Sequence, residues 1–225
     1  MILGIYGGGA LGREVLEIAR DINKQDVRWE ELVYIIDFGY EGNKKDDIRV
    51  LSIDEFSKIE SEKEAVISVG NPHDRYVMRE KLSEHEICLA TPIIHPTVKV
   101  FNDAEIGKGV IIGYGSFISF GSQIEDNVCI QPVCGVGHNV KIGENSFFAA
   151  GVRAGGHAIV GSNTFIGELV PIRDRVVIGN NSIISMGSVV QNDIPDGVIA
   201  MGNPARAIRK NDSYKIFNEK KEGEE

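Results

Sequence analysis

The chain has 225 residues, of which 42% are hydrophobic and 25% are charged, a composition typical of a globular protein with a real core. Its formal net charge of −9 argues against nucleic-acid binding, because that binding needs a positive surface. No apolar run approaches the roughly 18 residues that span a bilayer, so we expect a cytoplasmic protein without membrane insertion. Glycine is frequent, with 26 residues, whereas aromatic residues make up only 7%.

The first 90 residues have the pattern of a small parallel α/β unit. Residues 2–7 are predicted to form a buried strand, and apolar residues at helical spacing predict a helix from Leu11 to Asp21. Further strands are predicted from Glu31 to Phe38 and from Ala65 to Val69, followed by a helix from about Asp74 to Ser83. Strands that alternate with helices in this order indicate a parallel sheet.

A glycine-rich segment joins the first strand to the first helix. Gly7, Gly9 and Gly12 have the spacing GxGxxG, and Asp37 comes near the end of the next strand, as in a dinucleotide-binding fingerprint. About 90 residues are too few for the two halves of a full dinucleotide-binding fold, so we expect one nucleotide diphosphate rather than NAD. The N-terminus of the helix would hold its pyrophosphate through free N–H groups and the helix dipole.

Residues 94–190 repeat with a period of six. All seventeen residues at every sixth position from Ile94 to Val190 are apolar, and fifteen of them are Ile or Val. Neither a helix nor a hairpin meander has this period. Three hexads make one triangular coil of a parallel β-helix, and the coils stack about 4.8 Å apart. In eight hexads a glycine follows the apolar residue, and we expect these glycines at corners with a positive φ.

The end of the chain carries a further motif. Residues 202–209, GNPARAIR, fit the pattern GxPAxxxR. Together with the hexads, this segment resembles the hexapeptide-repeat acyltransferases, in which it lies beside the coenzyme A site. The resemblance implies a left-handed parallel β-helix, a homotrimer and acetyl-CoA as co-substrate. Four phenylalanines, which we expect on one exposed prism face, agree with buried interfaces between copies: Phe117, Phe120, Phe147 and Phe165.

With the α/β unit in front of it, nearly the whole chain resembles the family of sialic acid O-acetyltransferases and bacterial UDP-amino-sugar N-acetyltransferases. The resemblance implies a Rossmann-like nucleotide-sugar domain over residues 1–90, a left-handed β-helix over residues 91–210, and a tail over 211–225 that we expect to be disordered from Asn218 on. In that family the glycine loop, the acid of the second strand and a later glycine turn hold the nucleotide-sugar. The implied residues here are Gly9, Ala10, Leu11, Asp37 and Gly70. UDP-sugar-binding members often have Ser-Gly-His where Gly9-Ala10-Leu11 stands, so the sugar stays open.

His138 is the candidate general base. Direct acyl transfer from a thioester needs a base near pH 7, because the attacking amine or hydroxyl must lose its proton. His138 lies two residues after the inward Val136, on an outer face or edge of the prism, and its GHxxxIG spacing is similar to that of the family's catalytic histidine. Asn139 stands where the family commonly has an acid that orients the imidazole. We therefore expect a less basic imidazole, or a carboxylate from elsewhere.

The resemblance also implies where the coenzyme binds. Phe147 takes the place of an imidazole that contacts the coenzyme in the family, and Gly156 that of a pantetheine-contacting glycine. His157, one coil after His138, would line the same groove, and Ser185-Met186-Gly187 is expected to correspond to Gly156 a coil later. The residues expected to bind the coenzyme are Phe147, Gly156, His157, Met186, Gly187 and Arg206; no metal is expected.

The main hypothesis is an acetyl-CoA-dependent acetyltransferase that modifies an amine, or a hydroxyl, of a nucleotide-activated sugar for a surface glycan. O-acetylation of a sialic acid is the nearest alternative. A γ-type carbonic anhydrase would need three converging histidines on the same prism, for which His95, His138 and His157 are the candidates. A non-catalytic trimer that senses a nucleotide is the third alternative.

Overall fold

The chain forms an α/β domain followed by a β-prism, and this computed structural model describes residues 1–39, 42–213 and 216. The elements of the first domain are β1 (Ile2–Tyr6), α1 (Ala10–Gln25), β2 (Glu31–Ile35), β3 (Lys44–Lys45), β4 (Ile48–Leu51), α2 (Ile53–Ser57), β5 (Lys63–Ile67) and α3 (Pro72–Glu84). Its strands form one five-stranded sheet of order β3-β4-β2-β1-β5. β1 pairs in parallel with both β2 and β5, whereas β3 and β4 form an antiparallel hairpin.

The bounds of the predicted elements shift by up to four residues. α1 continues to Gln25, because Ile22 follows Ile18 at helical spacing and packs against the same core cluster. α3 begins at Pro72, because proline suits the first helical turn and the Asn71 side chain accepts a hydrogen bond from the His73 N–H. β2 ends at Ile35, three residues before the predicted end.

Two-residue strands make up the coils of the prism. They pair in parallel with the strands one coil away, as Val136 does with Ala154. Sheet I contains β7 (Lys99–Val100), β10 (Phe117–Ile118), β13 (Gly135–Val136), β16 (Arg153–Ala154) and β19 (Pro171–Ile172). Sheet II contains β8 (Glu105–Ile106), β11 (Gln123–Ile124), β14 (Lys141–Ile142), β17 (Ile159–Val160) and β20 (Val177–Ile178). Sheet III contains β6 (Ile93–Ile94), β9 (Ile111–Ile112), β12 (Cys129–Ile130), β15 (Phe147–Phe148), β18 (Phe165–Ile166), β21 (Ile183–Ile184), β22 (Val198–Met201) and an antiparallel closing strand, β23 (Arg206–Lys210).

The three corners of the prism are named for the sheets that they join. Corner I/II contains residues 137–140 and 155–158, corner II/III contains residues 143–146 and 161–164, and corner III/I contains residues 149–152 and 167–170. Because each coil takes three hexads, residues that are three hexads apart in the chain lie above one another at the same corner.

The predicted inward residues form the core of the prism. From Ile112 to Val190 they are all buried, while Ile94, Val100 and Ile106 in the first coil are partly exposed. Four residues after an inward residue, several serine and threonine residues also face the core, where their hydroxyls are hydrogen-bonded. The Ser146 hydroxyl, for example, donates to the Gly161 carbonyl at 2.7 Å. Each of these small side chains satisfies a buried polar group without adding volume.

The eight glycines that follow an inward residue do not have a positive φ, so the predicted reason for them is wrong. Glycine is needed there because the next coil passes too close: a Cβ on Gly143 would lie 2.5 Å from the Ser162 nitrogen. The positive φ falls two residues later in each hexad, at glycines such as Gly121 and at Asn139, Asn145 and other non-glycine residues. Asparagine tolerates this conformation better than most residues.

A buried arginine ties the α/β domain to corner II/III. Arg75 of α3 is 0% exposed and donates to the Asn127 carbonyl and side-chain oxygens at 2.6 and 2.7 Å, and to the carbonyls of Ile67 and Val69. Burial lowers the pKa of Arg75 to about 10, which leaves it charged near neutral pH. Asn127 in turn begins a ladder of side-chain amides that continues through Asn145 to Asn163.

The four phenylalanines do not share one exposed face, contrary to the prediction. Phe147 and Phe165 stack on each other with ring centroids 5.5 Å apart and pack in the cluster that joins the prism to α1 and Trp29. Phe117 and Phe120 are instead exposed, on sheet I and at corner I/II. Sequence spacing could not separate them, because the hexad pattern does not say which sheet the α/β domain covers.

No helix in the described ranges is long and apolar enough to cross a membrane. The segment from Asn218 on, for which we expect disorder, lies outside the described residues.

Candidate functional site

An exposed edge of the prism, at corner I/II, holds the imidazole of His138 between residues of the neighbouring coils. The ring stacks in parallel on Phe120, with centroids 5.3 Å apart and planes 9° from parallel. It meets His157 edge-on at 4.9 Å. On the other side lies Gly156, where a Cβ would be 2.5 Å from the Nε2 atom of His138. The imidazole fits at this position because residue 156 has no side chain.

Asn139 lies next to the other ring nitrogen. Its Oδ1 atom is 3.1 Å from the Nδ1 atom of His138. Because an amide oxygen only accepts, this contact assigns the proton to Nδ1 and leaves the lone pair of Nε2 for a substrate. Among residues 1–39, 42–213 and 216, no carboxylate pairs with His138, whereas His85 and His95 each have one.

The glycine loop leaves an open helix N-terminus. Gly7 has a φ of +118°, and a Cβ on Gly12 would overlap the Gly7 carbonyl, so both positions require glycine. Gly9 is the N-cap of α1, without a side-chain cap, and the first turn has no acidic residue. A Cβ on Gly9 would meet nothing within 4 Å. Free N–H groups thus face open space, an arrangement suited to a phosphate.

A cleft of about 640 Å³ lies between this helix N-terminus and corner III/I. It brings together three of the predicted substrate residues, Ala10, Leu11 and Gly70, with two predicted coenzyme residues, Phe147 and Met186. Phe147 lies directly beside Gly70, since a Cβ on Gly70 would be 3.7 Å from the ring. The remaining lining residues are Glu14, Gln131, Ala149, Ala150, Phe165, Gly167, Glu168, Ile183, Ser185 and Ile216.

Asp37, the predicted acid of the second strand, makes hydrogen bonds within the α/β domain. Its Oδ2 atom accepts from the Tyr6 hydroxyl at 2.5 Å, and its Oδ1 atom accepts from the Ile53 N–H at 3.0 Å. Burial, with the hydrogen bond to Asp37, raises the pKa of Tyr6, so the phenol stays protonated as the donor. The carboxylate is 13% exposed, and it does not line the cleft.

The predicted coenzyme residues fall on separate parts of one chain. Gly156 and His157 lie at corner I/II with His138. Met186 and Gly187 belong to corner III/I, and Arg206 lies on the exposed closing strand β23. The predicted correspondence between Gly156 and Ser185-Met186-Gly187 is wrong, because the pairing of successive coils sets Asp174 after Gly156.

Two exposed arginines at corner I/II were not predicted from the sequence. The backbone N–H of Arg175 donates to the Gly156 carbonyl at 3.0 Å, and Arg173 is two residues earlier on the same turn. The hexad spacing could have predicted them, because Arg173 lies three hexads after Gly155 and Arg175 three hexads after His157. Residues at this spacing share a corner. Their guanidinium groups thus lie at the same corner as His157, one coil further along the prism.

His95 and three buried residues with reactive or aromatic side chains lie apart from these sites. His95 pairs with Asp21 of α1 at 3.4 Å, away from the His138–His157 pair. Cys134 is buried, and burial raises its pKa to about 11, so its thiol stays protonated. Trp29 and Tyr34 are buried in the α/β domain. In the part of the chain that the structure describes, no group of three or more His, Cys, Asp or Glu side chains is arranged for a metal ion.

A hexapeptide prism with an oriented, half-buried histidine and a glycine loop suited to a phosphate defines a class, the hexapeptide-repeat transferases with an α/β domain. The family model of the PglD N-terminal domain matches residues 3–82, and that of the bacterial transferase hexapeptide (six repeats) matches residues 121–156. GDP-perosamine N-acetyltransferase of Escherichia coli O157:H7 is 30% identical over 93% of this chain and 97% of its own. The chain therefore belongs to the family of hexapeptide-repeat sugar acetyltransferases, as its sequence predicted.

Solved structures agree with this assignment. WeeI from Acinetobacter baumannii AYE is 26% identical, with a TM-score of 0.83 over 92% of this chain and 100% of that chain. PerB from Caulobacter crescentus, solved in complex with CoA and GDP-perosamine, is 24% identical, with a TM-score of 0.82 over 92% and 97% of the two chains. The predicted fold class, an α/β domain followed by a hexapeptide β-helix, is confirmed.

Proposed function

We propose that the protein transfers an acetyl group from acetyl-CoA to the amine of a nucleotide-linked amino sugar. The observation that carries this proposal is the orientation of His138: Asn139 accepts from Nδ1, and Nε2 keeps its lone pair beside Gly156, which has no side chain. A 30% identical relative is named for N-acetylation of a GDP-linked sugar, which favours an amine over a hydroxyl. Because acetyl-CoA is a cytoplasmic metabolite, we place the reaction in the cytoplasm.

In the proposed reaction, His138 first acts as a base and then as an acid. Nε2 takes a proton from the amine as its nitrogen attacks the thioester carbonyl carbon, so that the C–N bond forms. Backbone N–H groups near Gly156 would donate to the oxyanion. The C–S bond then breaks, and the imidazolium returns the proton to the leaving sulfur. The products are an acetamido sugar and the free thiol of coenzyme A.

Binding of the two substrates is divided between the domains in this proposal. The open N-terminus of α1, with Gly9, Ala10 and Leu11, would hold the diphosphate of the sugar nucleotide. Arg173 and Arg175 at corner I/II, with Arg206 on β23, are the proposed contacts of the coenzyme phosphates.

The proposed assembly is a homotrimer in which the site is shared. His138 lies at corner I/II, whereas the cleft with the glycine loop opens at corner III/I of the same chain. If the corner I/II of one copy lies against the corner III/I of the next, the imidazole reaches a cleft, and the divided coenzyme residues come together. Cyclic packing of three such heterologous contacts closes into a ring.

A thiol-release assay tests the function. Wild type and His138→Ala are given acetyl-CoA with a panel of GDP-amino sugars, UDP-amino sugars and CMP-sialic acid. We expect release with at least one amino sugar and a loss of at least about 10²-fold in kcat for His138→Ala, the size of a general-base contribution. His85→Ala, a histidine at the end of α3, is the matched control and should keep its rate.

Other outcomes identify the alternatives. Release with CMP-sialic acid alone would make the enzyme a sialic acid O-acetyltransferase. Nucleotide-sugar binding by calorimetry without release would indicate a sensing trimer, and a stoichiometric bound metal would favour the carbonic anhydrase alternative. Full activity of His138→Ala would remove this residue from the mechanism.

A further inference from the structure

Phe120 has a position that packing of the core does not explain. It is 48% exposed at corner I/II, one coil before His138, and it lies parallel to the imidazole at 5.3 Å. An exposed phenylalanine gains little from burial within this chain. The parallel stack is instead the contact that defines where the plane of the imidazole lies.

The other neighbours of the imidazole are uncharged or titrate themselves. Asn139 contacts Nδ1 through its amide, and Gly156 has no side chain. His157 of the next coil meets His138 edge-on, and Arg175 lies one coil further along the same corner. No carboxylate of the described chain pairs with His138, and the nearest acid along this corner, Asp174, lies one coil beyond Gly156.

We propose that Phe120 is a positioning residue for His138, which holds the imidazole plane and stabilises the imidazolium that forms during transfer. The inference rests on the proposed function of His138 as a base. A cation over the face of an aromatic ring is attracted by the negative charge of that face, and this attraction appears only when Nε2 has taken a proton. An interaction that is stronger in the transition state than in the ground state raises kcat rather than lowering KM. Phe120 thus supplies part of what an adjacent acid would supply.

The chain offers a matched control for this test. Phe101, 41% exposed, belongs to the preceding coil and contacts Phe120 edge-on at 6.3 Å, and no ring contact joins it to His138. The backbone carbonyl of Phe120 accepts from the Asn139 N–H at 2.9 Å, and side-chain substitutions keep that bond. Phe120→Leu and Phe120→Met keep apolar bulk and remove the ring face, whereas Phe120→Tyr keeps the face.

Steady-state kinetics with acetyl-CoA and the best amino sugar give the first readout. Phe120→Leu and Phe120→Met should lower kcat about threefold to tenfold, with both KM values within about twofold of wild type, as expected for loss of a cation–π contact. The acidic limb of the pH–rate profile should move to lower pH, because the protonated ring loses its support. Phe120→Tyr and Phe101→Leu should keep kcat and the profile. An unchanged kcat and profile in Phe120→Leu and Phe120→Met, or an equal loss in Phe101→Leu, would overturn the proposal.

Proton NMR of His138 supplies a readout that needs no activity. In wild type, the face of Phe120 should shift the His138 ring protons upfield, and Phe120→Leu should remove that shift while Phe101→Leu keeps it. Sedimentation of every variant shows whether assembly is intact; if Phe120→Leu does not assemble, Phe120→Met gives the decisive comparison. A wild type that shows the ring-current shift but transfers no acetyl group refutes the proposed function, whereas active Phe120 variants with an unchanged profile refute only the role of Phe120.

Discussion

The surroundings of His138 come from residues one coil away in both directions along the chain. Phe120 lies one coil before it and Gly156 one coil after it, and each contacts the imidazole ring. In this β-helix, residues of the adjacent coils thus fix the orientation of a side chain. Asn139, the next residue in the linear sequence, also contacts the ring.

Two glycine substitutions separate catalysis from folding. Gly156→Ala places a Cβ 2.5 Å from Nε2 of His138, a movable side-chain atom, so we expect the imidazole to swing away. The rate of thiol release should fall at least about tenfold, with the melting temperature nearly unchanged. Gly143→Ala is the matched variant, since its Cβ would meet the Ser162 backbone at 2.5 Å. It should lower the free energy of unfolding by about 1–3 kcal/mol.

Kinetics and urea unfolding of both variants check this difference. A large loss of stability in Gly156→Ala, or a rate close to wild type, would show that the imidazole does not depend on the space at 156.

Much of the site could be predicted at this scale, and the limits have a physical cause. The period of six gives the inward residues, and the resemblance points to His138. It does not reveal that Phe120 is parallel to the imidazole, because ring orientation follows from side-chain packing between coils. The predicted reason for the eight glycines that follow an inward residue was also wrong. Close approach of two backbones and a positive φ both select glycine, so a sequence does not distinguish them.

At the scale of elements, α3 and corner II/III form the main polar joint between the two domains. Arg75 reaches the Asn127 carbonyl from α3 and also holds the carbonyls after β5. Arg79, one turn later, pairs with Glu144 and Asp126 on the same corner. The buried arginine satisfies acceptors that the joint would otherwise leave without donors.

Replacement of Arg75 tests this joint. Arg75→Met should lower the free energy of unfolding by about 2–4 kcal/mol, because several buried carbonyls lose their donor. Arg79→Met, on the same helix with a side chain that is 27% exposed, should lower it by about 1 kcal/mol or less. Urea unfolding followed by the fluorescence of Trp29, which is buried in the α/β domain, measures both. Equal effects of the two substitutions would mean that burial of the guanidinium is unimportant for the joint.

The elements themselves were found where their periodicity was strong. The hexads and the central strands have a clear apolar period. The hairpin of β3 and β4 was missed, because Lys44–Lys45 is polar and two residues long. Arg75 carried no signal either, since a positive residue on a predicted helix ordinarily faces solvent, and its acceptors lie in another domain.

For the whole molecule, the position of the two candidate subsites on different corners sets a requirement for the assembly. One chain carries the glycine loop and all the residues that contact His138. The cleft beside the glycine loop opens at corner III/I, however, whereas His138 lies at corner I/II. We therefore expect that copies of the chain complement each other.

Mixed assemblies test this expectation. Gly9→Glu should abolish sugar-nucleotide binding with an intact fold, because position 9 is open and a carboxylate repels the diphosphate. His138→Ala should be inactive for its lack of a base. If the site is shared, the mixed trimers formed by co-expression of the two inactive chains should have about a third of the wild-type rate, since one of the three contacts in each mixed trimer would join two intact halves. Thiol release after purification through two different tags measures the rate. Mixed assemblies without activity would place the whole site within one chain.

The spacing of paired strands also fixes which lengths of insertion the prism can accept. An insertion of one hexad would leave every apolar side chain pointing inward, yet it would turn all later residues by one corner. His157 would leave His138, and Gly156 would no longer lie beside the imidazole. Only an insertion of three hexads, one full coil, preserves both the core and the corners. The core thus requires insertions of whole hexads, whereas the contacts at the corners require insertions of whole coils. An insertion can therefore preserve the stability of the prism and still disrupt its site.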